Sequence, residues 1–493
     1  MKKFWTLFLA AVLSLNLFAA CGKTPADSVG SSTADSSSVQ QEQSSTHEHV
    51  FADTWKRSTT AHWRECSCGE KTDYDKHQGG EVVCGEKLEC SVCGKSYGSV
   101  KEHDYAEKVK VEGVWNYKCG DCGDEMAMTD FVDFIVDVEA GKNPVILQLS
   151  DTQLTSTNQS SNENSCYKYV RETVAATKPD LILITGDLVY GRFDNRQGTM
   201  FTQFVAFMES LNIPWAPVFG NHDNECWMGV DWQCEQLENA ENCLFKQGTV
   251  TGNSNYTVGI LQGEILTRVF YMMDSNGCSR PMVDGITNGY NDDQLIHNTP
   301  AYGTNQVQKE AGLTSDQVVW MKGSAELIKT IEPQVKFSVA YHIQPYVFED
   351  AFKKYSYDSN TISSNPIDID TLENKEDGDF GFIGRALKGP WDYGKSIYNT
   401  MVEAGVDSFF VGHEHCNSAS IVYNGLRFQF GQKSSTCDRY NVLTAAGKIV
   451  DNGKGSGTPL VGGTAFTLGM DGTITNPYIY LCGNPLNRNP KAV

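Results

Sequence analysis

Five short blocks in fixed order, most of them closing an apolar run, constrain this chain more than any other feature. They are Leu149-Ser150-Asp151-Thr152-Gln153, Thr185-Gly186-Asp187-Leu188-Val189-Tyr190, Gly220-Asn221-His222-Asp223, Val339-Ala340-Tyr341-His342 and Gly412-His413-Glu414-His415. The runs before them, such as Pro144 to Leu149, Leu181 to Thr185, Ile213 to Phe219 and Val335 to Tyr341, read as buried strands. Arg268 to Asp274 and Ser408 to His413 continue the series. Amphipathic stretches at Tyr169–Ala176 and Met200–Leu211 read as intervening helices. The expected fold is α/β, a layered sheet structure flanked by helices with its site at the strand ends. Residues 350–390 are polar and rich in Gly, Asn and Asp, and read as an insertion or lid.

The blocks collect one kind of chemistry. Asp151, Asp187, Asn221, His342, His413 and His415 offer oxygen and imidazole ligands that suit two adjacent cations sharing one carboxylate. Asp187 follows a glycine that permits a sharp turn, which makes it the natural bridge. Asn221 can give a neutral oxygen to the second ion. His222 beside it is placed to hydrogen-bond an anionic substrate, with Asp223 expected to orient its ring. His413 and His415 lie two apart on an extended segment and point the same way.

The amino terminus reads as an export signal. Lys2 and Lys3 precede an apolar stretch from Phe4 to Leu13, then small residues up to Cys21. Ala19-Ala20-Cys21 resembles a bacterial lipobox, with Phe18 where Leu is usual. Residues 1–20 are therefore expected to be removed, and Cys21 to carry a lipid that anchors the chain extracytoplasmically at the cell membrane. From 21 to 46 the chain is almost wholly polar and reads as a disordered tether. A net charge of −21 argues against a nucleic-acid polymer as partner, though not against a small phosphorylated one.

Residues 47–128 form a Cys/His-rich module, holding seven of the 16 cysteines and five of the 10 histidines. Cys66-Ser-Cys68-Gly, Cys90-Ser-Val-Cys93-Gly and Cys119-Gly-Asp-Cys122-Gly are knuckles in which two thiolates can meet one ion. Structural zinc is the expectation, with disulfides as the alternative in an exported chain. The ligand sets stay open. Cys84, Cys90, Cys93 and His103 could close one site, while His49, His62, Cys66, Cys68 and His77 oversupply another. Cys119 and Cys122 could instead join Cys90 and Cys93. The segment looks like small zinc-ribbon repeats, fit for spacing or for docking a cell-surface partner.

The five blocks resemble those of the calcineurin-like metallophosphoesterase superfamily across 145–440, and most resemble the purple acid phosphatase side. Gly220-Asn-His-Asp-Asn-Glu225, Phe270-Tyr-Met-Met-Asp-Ser275, Gln317-Val-Val-Trp320 and His342-Ile-Gln-Pro345 carry that finer likeness. The resemblance implies a β-sandwich catalytic domain over 130–493. It implies a first metal on Asp151, Asp187 and His415, and a second on Asp187, Asn221, His342 and His413. Gln153 stands where most of the superfamily has His, which favours Mn or Mg over Zn. Tyr190 stands where purple acid phosphatases hold Fe by a phenolate. The implied function is hydrolysis of phosphomonoesters or phosphodiesters by metal-activated hydroxide, with His222 assisting. The alternative is a non-catalytic surface-binding protein on the same scaffold with the zinc module as docking unit. Arg439 and Tyr440 are candidate substrate contacts. Cys226, Cys234 and Cys243 are either paired or free.

Overall fold

The structure, a computed structural model, describes residues 47–155, 161–276, 312–356, 367–370, 378–384, 387, 394–436, 442–443, 449–450 and 458–483. The leader 1–20, the lipidation candidate Cys21, the tether up to 46, Arg439, Tyr440 and parts of the 350–390 insertion lie outside the described residues.

The chain forms two compact units. One ends at Glu81 and takes in Lys87–Ser99; the other is Val82–Glu86 with Val100–Val493. Residues 100–128 fall in the second unit. The hairpin Glu107–Val111 and Val114–Lys118 buries Tyr117 with Met128 and Phe131 in the larger unit's core. Lys108 Nζ and Tyr117 Oη both reach Glu332 Oε1 at 2.6 Å.

Within the larger unit we label fourteen strands: β1 (Phe134–Val138), β2 (Val145–Leu149), β3 (Leu181–Thr185), β4 (Trp215–Val218), β5 (Tyr256–Gln262), β6 (Ile265–Met272), β7 (Lys336–Ala340), β8 (Ile367–Asp370), β9 (Phe380–Ile383), β10 (Val406–Val411), β11 (Asn417–Tyr423), β12 (Leu426–Phe430), β13 (Gly462–Leu468) and β14 (Ile474–Leu481). They build two mixed sheets in the orders β4-β3-β2-β13-β14 and β8-β9-β11-β12-β10-β7-β6-β5-β1. The parallel pairs β2/β3, β3/β4, β6/β7 and β7/β10 are the ones the sequence blocks follow. Buried Ile146, Leu147 and Phe466 of one sheet meet Phe270 and Phe410 of the other, with Phe410 and Phe466 stacked at 5.1 Å. Each such ring removed from water contributes about 2–3 kcal/mol. Helices Ser161–Thr177 and Thr199–Glu209 accompany the smaller sheet, and Ser315–Ile331 and Gly394–Glu403 the larger, as expected for an α/β layered sandwich.

Asp274 closes β6 but serves the scaffold. Its carboxylate accepts the N–H of Asn253 and Asn276 at 2.8 Å each.

Candidate metal centre

The carboxyl ends of β2, β3, β4, β7 and β10 deliver Asp151, Asp187, Asn221, His342 and His413 to one place. Ligand atoms of Asp151, Asp187 and His342 all lie within 4.8 Å of one another, and all three residues are buried. Asn221 Oδ1 is 3.1 Å from His342 Nε2 and 3.0 Å from His413 Nδ1. His342 Nε2 is 3.4 Å from Asp187 Oδ2, and His415 Nε2 is 3.2 Å from Asp151 Oδ1. The convergence is made by backbone that leaves each strand abruptly. Asp151, Gln153, Asp187 and His413 take φ of 50°, 38°, 54° and 71°. For residues with a Cβ this left-handed region costs about 1–3 kcal/mol each and persists where surrounding structure over-determines it.

Two glycines make the close approach feasible. A Cβ on Gly186, itself at φ 88°, would stand 2.5 Å from His342 Nδ1. A Cβ on Gly412 would stand 2.2 Å from Ser150 Oγ and 2.6 Å from the Thr185 carbonyl oxygen. Behind the site the buried Gln148 amide donates to Thr185 Oγ1 and to the Val411 carbonyl, each at 3.0 Å, tying together strand ends from both sheets.

The donor set fits cations. His342 Nδ1 lies 2.8 Å from the Thr185 carbonyl, so it carries a proton and leaves Nε2 to face Asn221 and Asp187. Two carboxylates, one amide oxygen and imidazole nitrogens aim lone pairs at a shared space, which a hard or borderline metal ion satisfies. Without such an ion, burial lowers the His342 pKa but the Asp187 charge outweighs it, and the group is pushed up to about 9. Burial, followed by the neighbouring His342 charge, takes His413 down to about 3. Burial alone would raise Asp187, yet the His342 and His222 charges hold it well below the usual carboxylate range.

The structure corrects one expected contact and refines two. The ring of His222 is not oriented by Asp223: its Nδ1 lies 3.1 Å from Glu225 Oε2, on a side chain with no exposed surface. Asp223 instead accepts the backbone N–H of Gly220 (2.8 Å) and Val189 (3.0 Å), and burial pushes it up to about 8. Glu225 had a visible signal, its place in the Gly-Asn-His-Asp-Asn-Glu block, but a separation of three residues does not say which carboxylate turns inward. Gln153 meets the centre by donating its amide N–H to Asp187 Oδ2 at 2.5 Å. Tyr190 sets its ring edge-on against His222, centroids 3.9 Å apart.

The Cys/His residues group apart from this centre. His47, His49, Cys66 and Cys68 gather in one quartet; His62, His77, Cys90 and Cys93 in a second; Cys84, His103, Cys119 and Cys122 in a third. Cys84 thus groups with His103, Cys119 and Cys122, and none of these four shares a quartet with Cys90 and Cys93. Cys226, Cys234 and Cys243 are buried free thiols, Cys226 pushed up to about 12 by burial.

The two-sheet sandwich gathers a buried Asp, Asn and His cluster at its parallel strand ends. The chain belongs to the calcineurin-like phosphoesterase family, whose profile matches residues 144–417. It is 24% identical over 260 residues to Phosphatase DCR2 of Saccharomyces cerevisiae, covering 50% of this chain and 38% of that protein. It is 23% identical over 280 residues to "Probable inactive purple acid phosphatase 28" of Arabidopsis thaliana, covering 54% of this chain and 60% of that one. The chain thus spans less than two thirds of these relatives' lengths. Among solved structures it is similar to a dimetal phosphatase from Danio rerio, at 12% identity and a TM-score of 0.34, covering 59% of this chain and 88% of that one.

Proposed function

We propose that this protein hydrolyses phosphomonoesters or phosphodiesters of small molecules at a dinuclear metal centre. The observation that carries the reading is the meeting of Asp151, Asp187, Asn221, His342 and His413 at the ends of strands from both sheets. Asp151, Asp187 and His415 would hold one ion, and Asp187, Asn221, His342 and His413 the other, with Asp187 shared. Mn, Fe, Zn and Mg all fit these donors, and Tyr190 and Gln153 are the residues whose part separates them. Such a pair supplies charge to grip a phosphate ester and lowers the pKa of bound water.

The chain's own groups do the rest. Asp187 uses Oδ1 to accept the His222 backbone N–H at 2.9 Å, which locks the third block against the second. His222 keeps its ring partly exposed while Glu225 holds Nδ1, so Nε2 is free to turn to a substrate or leaving-group oxygen.

Around this enzyme we place an export signal over 1–20, a lipid on Cys21, a tether over 21–46 and structural zinc within 47–128. Together they would set the enzyme at the outer face of the cell membrane, where the zinc module could dock a cell-surface partner. The support is the sequence pattern and, for zinc, the quartets. The net charge of −21 favours small phosphorylated substrates over nucleic-acid polymers. The rival reading, a non-catalytic binding protein, draws on Gln153 spending its amide on Asp187.

The test measures metal content and turnover of an aryl phosphate and its bis-aryl diester, for the native chain and Asp187→Asn. The proposal expects about two ions besides any held by cysteines, turnover of one ester class, and loss of both in the variant. Two bound ions with no turnover of either ester would favour the binding protein.

A further inference from the structure

We infer that residues 47–122 hold three metal ions, zinc by the chemistry of their donors, in tetrahedral sites interleaved along the chain. The inference rests on the zinc reading above and fixes its number, its ligands and its purpose. The segment offers seven cysteines and five histidines, and the three quartets use every one with none left over. Two are Cys2His2 and the third is Cys3His.

The spacings are close to those of ligands sharing one tetrahedral ion. Zinc bonds of about 2.3 Å to sulfur and 2.0–2.1 Å to nitrogen place tetrahedral neighbours about 3.3–3.8 Å apart. His47 Nε2 to Cys66 Sγ and His49 Nδ1 to Cys68 Sγ are both 3.2 Å. His62 Nδ1 to Cys90 Sγ is 3.7 Å, and His77 Nδ1 to Cys93 Sγ is 3.4 Å. Cys84 Sγ to Cys119 Sγ is 3.9 Å, and His103 Nδ1 to Cys122 Sγ is 3.3 Å. A disulfide needs sulfurs about 2.05 Å apart. Each quartet contains a glycine-closed knuckle, one residue shorter in the first: the N–H of Gly69, Gly94 or Gly123 closes on the carbonyl of Cys66, Cys90 or Cys119 at 2.8, 2.8 and 2.9 Å. These glycines take φ of 92°, 65° and 75°, where a Cβ would strain the turn.

Burial says what the ions are for. In 47–99 the buried residues are Ala61, His62, Cys66, His77, Cys90 and Cys93, so all but one are ligands. So small a unit cannot fold on apolar area alone, and metal bonds replace the missing core. The sites also overlap in chain order. His62 of the second lies between the ligand pairs of the first, and Cys84 of the third lies between His77 and Cys90 of the second. Each ion thus closes a loop that contains the first ligand of the next.

The experiment titrates the intact full-length chain with a mercurial that displaces metal from thiolates, counting released zinc with a chromogenic chelator. Ions on the carboxylate and imidazole ligands of the catalytic centre are not displaced, and ester turnover is followed separately. Three zinc ions per chain are expected. One or two would overturn the three-site partition while leaving zinc in the module, and none would overturn the zinc reading itself, in either case without touching the phosphoesterase reading. Cys84→Ser and Cys84→Ser with Cys119→Ser should each lose the same single ion. Loss of a second ion in the double variant would show that Cys84 and Cys119 serve different sites and overturn the partition.

Discussion

His222 projects a ring only 17% exposed, tied at Nδ1 to a Glu225 carboxylate with no exposed surface. An amide in place of that carboxylate keeps the shape but removes the charged partner that orients the ring. Glu225→Gln should lower kcat about 10–100-fold, the usual effect of losing such an outer partner, with metal content and KM little changed. A tenfold loss of bound metal, with turnover per bound metal unchanged, would instead make Glu225 a purely structural residue. His342 supports a second expectation. Its pKa without metal is pushed up to about 9, and a ligating Nε2 must be bare. Below about pH 9 metal uptake therefore releases a proton here, and affinity rises about tenfold per pH unit until that point. His413, taken down to about 3, is already neutral and adds none. Calorimetry in buffers of different ionisation enthalpy reads the proton, and uptake with no proton release between pH 6 and 8 would contradict the assignment. The ligand types were legible in the sequence because most stand just after an apolar run. Their left-handed backbones and the choice of Glu225 over Asp223 were not, since both depend on what packs behind the loop.

Among the elements, β6, β7 and β10 are clamped by Arg268, which is 1% exposed. Its Nη1 and Nη2 meet Asp407 at 2.7 and 2.8 Å, Nη1 meets Ser338 Oγ at 2.5 Å, and Nε donates to the Gly472 carbonyl at 2.7 Å. The two partners differ in what they leave behind. Asp407→Ala strands a buried guanidinium and should cost about 3–5 kcal/mol. Arg268→Met leaves a carboxylate that is 36% exposed and can rehydrate, so it should cost less. Urea unfolding of both variants checks the order, and equal losses would show that the ion pair is not the source. The strands carrying the site were readable as buried apolar runs. β13 was not: Gly462-Gly-Thr-Ala-Phe-Thr-Leu468 has a weak pattern, yet it pairs antiparallel with β2 and completes the sheet. Pairing over so long a loop is set by packing against Phe270 and Phe410, which no local pattern contains.

At the scale of the molecule, the Cys pattern and the core disagree on where the catalytic unit begins. A chain starting at Val82 keeps Tyr117, Lys108 and the third quartet, while one starting at Thr129 leaves Glu332 without those two partners and uncovers Phe131. The longer chain should be more stable by about 3 kcal/mol or more, the scale of a lost buried aromatic, and matching urea midpoints would sink that boundary. The sequence by itself determined the inventory: which strands are buried, which side chains can hold metal, and that their order is that of a calcineurin-like phosphoesterase. Those properties are local, written in apolar runs and residue chemistry. The tertiary structure decided how the inventory is shared out: Glu225 to His222, Gln153 to Asp187, twelve cysteines and histidines into three quartets, and residues 100–128 to the catalytic unit. Such choices are made between groups far apart in the chain, by loop closure and burial, and they exist only once the chain has folded.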